Sequence, residues 1–353
     1  GHDDAIKSQY VDRLITELRY RADIVGNDHL VAQLALGGGT PTHLASGDLD
    51  RLFSGLREVF QFDPMGERSI EVDPRRICSN YLDILLSHGF NRVSLGVQDL
   101  DPMVQEAINR VMPAEKLSDI MVYLQQNGCK AINIDLMYGL PGQTCDTISK
   151  TVDAIVQMKP TRIALFGYAH VPWMSPHQKE LERYELPDAQ LRTELFSVAW
   201  QRLTEAGYIH IGMDHFALPE DELSRALEQQ TLTRNFMGYT TRRGLDLVAT
   251  GATAIGAVNG TYTQNIKDVK AYMNAEPRDT WLKGYILSDD DILRRDLITE
   301  LFCNFHLDIS ALESTYDLTF ADHFSTECDR LVPFIDDGLM TMDARQINVT
   351  SVG

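Results

Sequence analysis

The chain has 353 residues, a formal net charge of −19 at pH 7 and a hydrophobic share of 44%. This acidic surplus argues against nonspecific nucleic-acid binding and against an anionic membrane surface, because both need a concentration of Lys and Arg. No apolar run approaches the length of a bilayer span, and the chain length suits one large α/β domain with a smaller appendage.

The cysteines of the chain are Cys78, Cys129, Cys145, Cys303 and Cys328. An odd number of widely separated cysteines is not typical of a disulfide framework, which indicates a reducing, cytoplasmic location. None of their spacings matches a CxxC or CxxxCxxC metal motif. We therefore expect no metal ligands in this chain.

Short apolar runs alternate with helical patterns over the first two-thirds of the sequence. Strands are predicted at 30–36, 69–72, 92–97, 131–137, 162–168 and 208–213. Helices are predicted at 48–60, from Asp73 into 81–88, and at 103–111, 114–126, 147–158 and 188–206. This alternation indicates βαβ units and a parallel sheet that curls into a barrel or an open half-barrel.

Glycines and polar residues fall at the predicted carboxyl ends of these strands, which is where parallel β/α folds carry their chemistry. They are the GGGT run at 37–40, Glu71, Gln98, Asp135 and His170. The glycines allow a ligand to approach the backbone, whose N–H groups can bind an anion. Burying the carboxylate of Asp135 at the end of a very apolar strand is costly without partners, which favours a functional role for it.

From about residue 285 the pattern changes. Helices are predicted at 289–303, 309–316 and 320–334, and a hairpin at 338–349 with its turn at 343–345. This order predicts a small, mostly helical, winged-helix-like C-terminal domain. We expect the domains to be 1–284 and 285–353. The second domain has no basic stripe and is not expected to bind DNA.

Six motifs occur in order along the chain. They are GGGTPT at 37–42, IEVDP at 70–74, SLGVQD at 94–99, NIDLMYGLPGQT at 133–144, YAHVPW at 168–173 and GMDHFA at 212–217. Together they resemble the oxygen-independent coproporphyrinogen III oxidases, which are radical S-adenosylmethionine enzymes of heme biosynthesis. GMDHFA and RNFMGYTT at 234–241 resemble these oxidases more than the heme-binding chaperones with the same barrel. Those chaperones remain the alternative, followed by a nucleotide-binding protein without a redox role.

The resemblance implies a 4Fe–4S cluster, two S-adenosylmethionine molecules and a partial (β/α)6-type barrel. Residues that correspond to contacts of the cluster-bound molecule are Gly38, Glu71 and Ile255. Those that correspond to contacts of the second molecule are Gly39, Thr40, Gln98, Arg110, Asp135 and Ala169. The implied reaction is the oxidative decarboxylation of two propionates of coproporphyrinogen III, which gives protoporphyrinogen IX.

A substrate with several carboxylates needs local positive charge on so acidic a chain. By charge and position, the candidate partners are His215, Arg234, Arg242 and Arg243. His170 and Trp173 follow a predicted strand end and are expected to line the same cavity. The resemblance also implies an electron donor, which the sequence does not identify, and we expect a monomer.

The chain departs from the family at its front end, and a stretch at the far C-terminus is also expected to be absent. Family members hold their cluster with three cysteines in CxxxCxxC, just after the first barrel strand, and this sequence has neither that motif nor that strand. The missing segment is expected to be either disordered in a longer protein or cut from it. By itself, the chain is expected to be unable to start radical chemistry.

Overall fold

The structure is a computed structural model that describes residues 2–26 and 28–353. Two compact units are interleaved along the chain. The first unit comprises the residues up to Asp221 with Thr250–Ala254 and Ile266–Thr280, and the second comprises Glu222–Ala249, Ile255–Asn265 and Trp281–Gly353. These units are not the consecutive segments 1–284 and 285–353, which stay a prediction as folding domains.

The first unit contains a seven-stranded sheet and most of the long helices. Its strands are β1 (Leu30–Leu36), β2 (Gln61–Val72), β3 (Arg92–Gln98), β4 (Ala131–Tyr138), β5 (Arg162–Gly167), β6 (Ile209–Gly212) and β7 (His215–Ala217). Its helices are α1 (His2–Val25), α2 (Ser46–Val59), α3 (Ser79–Ser87), α4 (Pro102–Ala107), α5 (Ala114–Gln126), α6 (Cys145–Met158), α7 (Ala189–Glu205) and, later in the chain, α9 (Val269–Asn274). Short 3-10 helices occur at Pro41–His43, Pro176–Arg183 and Pro277–Asp279.

The second unit contains shorter elements. Its helices are α8 (Glu222–Glu228), α10 (Asp289–Asn304), α11 (Ile309–Tyr316), α12 (Phe320–His323) and α13 (Ser325–Asp336). Its strands are β8 (Thr233–Asn235), β9 (Gly238–Thr240), β10 (Ile255–Val258), β11 (Thr261–Asn265), β12 (Trp281–Ile286), β13 (His306–Asp308), β14 (Met340–Met342) and β15 (Gln346–Val349). Across residues 2–26 and 28–353, no helix has the length and apolar character that crossing a membrane requires.

The order of strands in the large sheet is β1-β2-β3-β4-β5-β7-β6. Strands β1 to β5 pair in parallel, as the βαβ pattern predicts. Side chains alternate between the two faces of each strand. On one face, Val93, Leu95 and Ile134 join a core with apolar residues of α5 and α6. The opposite face carries Ser94, Gly96, Asn133 and Asp135, and we call it the polar face.

The end of the sheet differs from the prediction. Instead of one parallel strand at 208–213, the chain forms a hairpin in which β6 pairs with β7 and β7 pairs antiparallel to β5. Met213 takes a left-handed φ of +47°, and the carbonyl of Asp214 accepts a hydrogen bond of 2.7 Å from the Leu165 amide. This tight turn reverses the chain before a crossover helix could form.

Two helix predictions on the first unit need correction. Helix α3 begins at Ser79, because Asp73 does not cap it and instead binds Arg75 with its carboxylate. Helix α4 ends at Ala107 and not at residue 111, because Asn109 has a left-handed φ of +54°. Both deviations place irregular backbone next to the polar face.

Within the second unit, the strands form a β8-β9 hairpin and two three-stranded sheets, ordered β10-β11-β12 and β13-β15-β14. The hairpin expected at 338–349 is confirmed, since β14 and β15 pair antiparallel and Asp343 accepts hydrogen bonds from the amides that follow it. The helix predicted at 320–334 is divided, because Phe324 leaves helical geometry between α12 and α13. A separate core of α10 to α13 side chains includes Leu293, Leu312 and Phe320.

Candidate functional site

A glycine loop follows β1 and is joined to the end of β2. Gly38 and Gly39 have φ angles of +76° and +127°, which favour glycine, and the space where a Cβ would project is open at both. At Gly37, a Cβ would lie 2.6 Å from Oε1 of Glu71. The amide of Gly38 also donates a hydrogen bond to the Glu71 carboxylate. Thr40 follows with φ −132° and ψ 87° as the residue before the 3-10 helix, and the two glycines leave the backbone of the loop open to a ligand.

The second carboxylate of the site is Asp135 on β4. Its Oδ2 accepts a hydrogen bond of 3.0 Å from the Ser94 hydroxyl, and its Oδ1 accepts one of 2.7 Å from the Asn133 amide nitrogen. That amide nitrogen also donates to Ser94 Oγ over 2.8 Å. All three residues lie on the polar face of neighbouring strands. The sequence predicted that a buried Asp135 needs hydrogen-bond partners, and the structure identifies them as Ser94 and Asn133.

Burial raises the pKa of both carboxylates, and repulsion by Asp135 adds to the rise at Glu71. Burial raises the pKa of Asp135, although the bonds from Ser94 and Asn133 and the charge of Arg110 oppose the rise. Partial loss of water raises the pKa of Glu71, the charge of Asp135 adds to the rise, and the Gly38 amide opposes it. Two carboxylates held under such conditions are suited to accept hydrogen bonds from hydroxyl or ammonium groups of a ligand.

Gln98 ends β3 in a strained conformation. Its φ is +72°, and a hydrogen bond of 3.0 Å from the Asp99 amide to the Val97 carbonyl closes a three-residue turn around it. The pairing of β3 with β4 shifts register between Gly96 and Gln98. Such a conformation in a side-chain-bearing residue costs about 1–3 kcal/mol and is concentrated at functional sites. The turn directs Gln98 away from the regular strand.

Arg110 reaches the polar face from the turn after α4. Its Nη2 donates a hydrogen bond of 2.8 Å to the Gly96 carbonyl, and a Cβ at Gly96 would lie 3.2 Å from that nitrogen and 3.3 Å from Nε2 of Gln98. A side chain at position 96 would therefore disturb both residues. Burial, followed by the charge of Arg75, lowers the pKa of Arg110, while Asp73 and Asp135 oppose this effect.

Sequence reasoning missed the pair of Asp73 and Arg75. The guanidinium of Arg75 donates hydrogen bonds of 2.7–3.2 Å to both carboxylate oxygens of Asp73, and it also donates to the Asn109 carbonyl over 2.9 Å. Although burial alone would raise it, the bonds from Arg75 lower the pKa of Asp73. Asp73 lies 3.9 Å from Arg110. The pair thus braces the turn that carries Arg110, and its signal in the sequence was the DPR run that we interpreted as a helix start.

The segment after β5 contains Ala169 and His170. The Ala169 carbonyl accepts a hydrogen bond of 3.2 Å from Gln178. His170 contacts the Tyr168 hydroxyl through Nδ1 at 3.0 Å and the Glu182 carboxylate through Nε2 at 3.4 Å. Both imidazole nitrogens therefore stabilise the loop. Trp173 is 76% exposed, so the expected lining role of His170 and Trp173 stays a prediction.

The substrate candidates occupy different surroundings. His215 lies on β7 opposite Ala164, in the same row across the sheet as Gly96 and Asp135, and its ring meets Phe166 edge to face with centroids 5.9 Å apart. The structure therefore places His215 beside the polar face of the first unit.

The remaining candidates belong to the second unit. Arg234 lies over the rings of Tyr239 and Phe302, and Arg243 pairs with Glu300 at 2.5 Å. Arg242 is exposed, and its guanidinium makes no ion pair within the described part of the chain. Ile255 begins β10. Most of the predicted site residues belong to the first unit: Gly38, Gly39, Thr40, Glu71, Gln98, Arg110, Asp135, Ala169 and His215. The other four, Arg234, Arg242, Arg243 and Ile255, belong to the second unit.

The residues present fit one of the two implied cofactors. Nε of Arg110 and Oδ1 of Asn133 are buried, and neither finds a hydrogen-bond partner among the described residues, which is typical of a site that a ligand completes. The open glycine loop and the two carboxylates fit an aminoacid-bearing nucleoside such as S-adenosylmethionine. An iron–sulfur cluster does not fit, because the described residues contain no group of three His, Cys, Asp or Glu side chains that could hold a metal.

Comparisons with known proteins agree with this geometry. The sequence profile of the radical SAM superfamily matches residues 5–155. The oxygen-independent coproporphyrinogen III oxidase of Escherichia coli is 41% identical over 347 residues, which cover 98% of this chain and 76% of that protein. The protein of the same name from Pseudomonas aeruginosa is 38% identical over 348 residues, with the same shares of both chains.

The solved structure of coproporphyrinogen III oxidase from Escherichia coli, described as a radical SAM enzyme, matches with a TM-score of 0.96 at 40% identity. The match covers 99% of this chain and 81% of that one. It confirms the expected α/β class with a curled, half-barrel sheet, and the names of these relatives favour the oxidases over the heme chaperones. The chain belongs to the oxygen-independent coproporphyrinogen III oxidase family of the radical SAM superfamily.

Proposed function

We propose that this chain binds two S-adenosylmethionine molecules and acts on coproporphyrinogen III. The observation that carries the proposal is the 41% identity that extends over 98% of the chain to an oxidase of that name. In the reaction, two propionate side chains each lose a β-hydrogen, carbon dioxide and one further electron, which leaves two vinyl groups. The electron released at each propionate passes to an acceptor, and the chemistry also needs an electron donor, which the sequence does not identify. We further propose that the protein works as a monomer in the cytoplasm.

The first S-adenosylmethionine would be held by the glycine loop. The open space beside Gly38 lets the molecule approach the backbone closely, while the Glu71 carboxylate suits its ammonium group or ribose hydroxyls. Ile255, which begins β10, is proposed as an apolar contact. When bound, S-adenosylmethionine would supply the hydrogen-abstracting chemistry, and the protein would contribute binding, orientation and exclusion of water.

The second molecule would lie against the polar face. Asp135 offers a buried carboxylate to hydroxyl or ammonium donors, Arg110 offers guanidinium donors to a carboxylate, and Gln98 offers one donor and one acceptor. The remaining proposed contacts are backbone groups or small side chains at Gly39, Thr40 and Ala169. Two molecules suit a reaction in which two propionates are oxidised in turn.

The substrate carboxylates need cationic partners. His215 is proposed because it lies in the row of Asp135 on the polar face. Of the three arginines proposed with it, Arg242 would need the least rearrangement, whereas Arg234 and Arg243 would leave aromatic and ion-pair contacts. Binding through side chains of this kind fits an anionic tetrapyrrole.

The test adds cluster-binding cysteines, which the described residues do not provide. The three-cysteine segment of a family member is joined to the front of this chain, and the fusion is reconstituted with iron and sulfide without oxygen. After iron and sulfide analysis confirms a cluster, S-adenosylmethionine, a reductant and coproporphyrinogen III are added. At a limiting concentration of S-adenosylmethionine, we expect protoporphyrinogen IX to form in the fusion and to form more slowly in its Asp135→Asn variant.

Two other outcomes contradict parts of the proposal. Cleavage of S-adenosylmethionine with unchanged coproporphyrinogen III would show that the substrate assignment is wrong while cofactor binding is right. Tight stoichiometric heme binding without cleavage or turnover would favour the chaperone alternative.

A further inference from the structure

A buried carboxylate lies directly behind Gln98. Asp99 is fully buried, and its Oδ1 accepts hydrogen bonds of 2.6 Å from the Thr151 hydroxyl and 2.8 Å from the Asp101 amide. Its Oδ2 accepts one of 2.6 Å from Nε2 of Gln143. The Thr151 oxygen also accepts from the Leu100 amide over 3.3 Å. Three residues therefore hold the Asp99 carboxylate in place next to the strained Gln98.

Gln105 connects this carboxylate residue to the turn that carries Arg110. Its side chain is 3% exposed, and its Nε2 donates to the carbonyls of Asp99 and Met112 at 2.9 and 3.1 Å. Its Oε1 accepts from the Met112 amide at 3.0 Å, and its backbone carbonyl accepts from the Arg110 amide at 2.8 Å. One glutamine thus closes the loop from residue 105 to residue 112.

Gln143 connects the same carboxylate to the end of β4. It is 2% exposed, and its Nε2 donates to the Met137 carbonyl over 2.7 Å in addition to Asp99. Its Oε1 accepts from the Leu140 amide over 2.9 Å. The backbone of the strand that bears Asp135 is therefore joined to the turn that bears Gln98.

These contacts form one continuous group of buried polar side chains, Asp99, Gln105, Gln143 and Thr151, which we call the Asp99 network. None of the four belongs to the polar face that would contact a nucleoside, yet each holds backbone beside Gln98, Arg110 or β4. Buried networks with satisfied members favour one arrangement over others. A strained residue such as Gln98 persists only where its surroundings fix it.

We propose that the Asp99 network positions Gln98 and Arg110 for the second S-adenosylmethionine, with Thr151 and Gln105 as positioning residues. The inference rests on the proposed function, because it requires a nucleoside on the polar face. It adds four residues that no ligand contact would identify. Their effect is on cofactor affinity rather than on stability alone.

The test compares Thr151→Val with Thr151→Ser in the full chain. Valine keeps the shape but removes the hydroxyl that binds Asp99, whereas serine keeps the hydroxyl. S-adenosylmethionine is titrated calorimetrically at a temperature at which circular dichroism shows each variant folded. We expect Thr151→Val to weaken binding on the order of tenfold, because residues that hold the ligand-contacting groups have effects of this size at other sites. We expect Thr151→Ser to bind like the unchanged chain.

Two further variants make the result decisive. Gln105→Met removes the side-chain hydrogen bonds to Asp99 and Met112 without touching Thr151, and we expect a similar loss of affinity. Arg110→Ala reports on the proposed function itself. If Arg110→Ala weakens binding while folded Thr151→Val and Gln105→Met bind normally and only unfold at lower temperature, the network is merely structural. If the unchanged chain binds no S-adenosylmethionine, the proposed function and this inference are both wrong.

Discussion

The two faces of the large sheet differ completely although they belong to the same strands. Leu95 and Ile134 are fully buried against helices, while their chain neighbours Gly96 and Asp135 lie on the polar face with Arg110 and Ser94. Residues that stabilise the core and residues of the candidate site therefore alternate along each strand, because successive side chains point to opposite faces of the sheet. Substitutions on the two faces should accordingly affect different measurements.

The largest expected effect on stability comes from the helix-facing side. Ile134→Ala should lower the free energy of unfolding by about 2–5 kcal/mol, because it leaves a cavity in a closely packed core. Urea unfolding measures the loss. Val122→Ala is the control: this valine is 45% exposed on α5, so its change should stay within about 0.5 kcal/mol. Equal losses for both would contradict the described packing.

Asp135→Asn tests the polar face. It should weaken S-adenosylmethionine binding roughly ten- to hundredfold, the equivalent of about 1.5–3 kcal/mol for a hydrogen bond to a charged group. Stability should stay equal or rise, since the variant removes a buried charge and the Ser94 hydroxyl can turn to accept a bond. Calorimetric titration and urea unfolding separate the two effects. A large loss of stability with normal affinity would assign Asp135 to structure.

The raised pKa of Asp135 gives this variant a pH signature. Above the ordinary value of 3.8, the unfolded chain loses the proton while the folded chain still holds it, so the folded state binds more protons. The free energy of unfolding should therefore fall as pH rises from 3.8 towards the folded pKa and then level off. The fall should be smaller in Asp135→Asn, with Glu71 accounting for part of the remainder. A pH series of urea unfolding curves measures both slopes.

The smallest effect separates strain from binding at one residue. Gln98→Gly should raise the free energy of unfolding by up to about 1 kcal/mol, because glycine adopts a φ of +72° without strain, yet it should weaken S-adenosylmethionine binding. Lys159→Gly is the matched control, since Lys159 has a φ of +52° at the end of α6, away from the polar face. It should stabilise the chain and leave binding unchanged. If both variants bind S-adenosylmethionine with the same affinity, Gln98 does not contact the cofactor.

The sequence predicted the polar face only in part. Asp135 was found because a carboxylate in an apolar strand calls for partners, but Ser94 and Asn133 were missed although they lie two residues from Gly96 and Asp135 on the same face. Strand periodicity could have indicated both. Asp73 could not have been found in this way, because its partner Arg75 depends on a turn that resembles a helix start.

The sequence by itself determined the alternation of strands and helices, the glycine loop and the family, because these depend on residue type and on spacing along the chain. Only the tertiary structure decided which side chains meet. Ser94 and Asp135 are 41 residues apart and touch because β3 pairs with β4 so that Gly96 lies opposite Asp135, and Arg110 reaches Gly96 because a short helix ends early. Strand periodicity indicates which face of a sheet a side chain occupies, but which residues of two distant strands lie opposite each other depends on how the strands pack in the whole sheet.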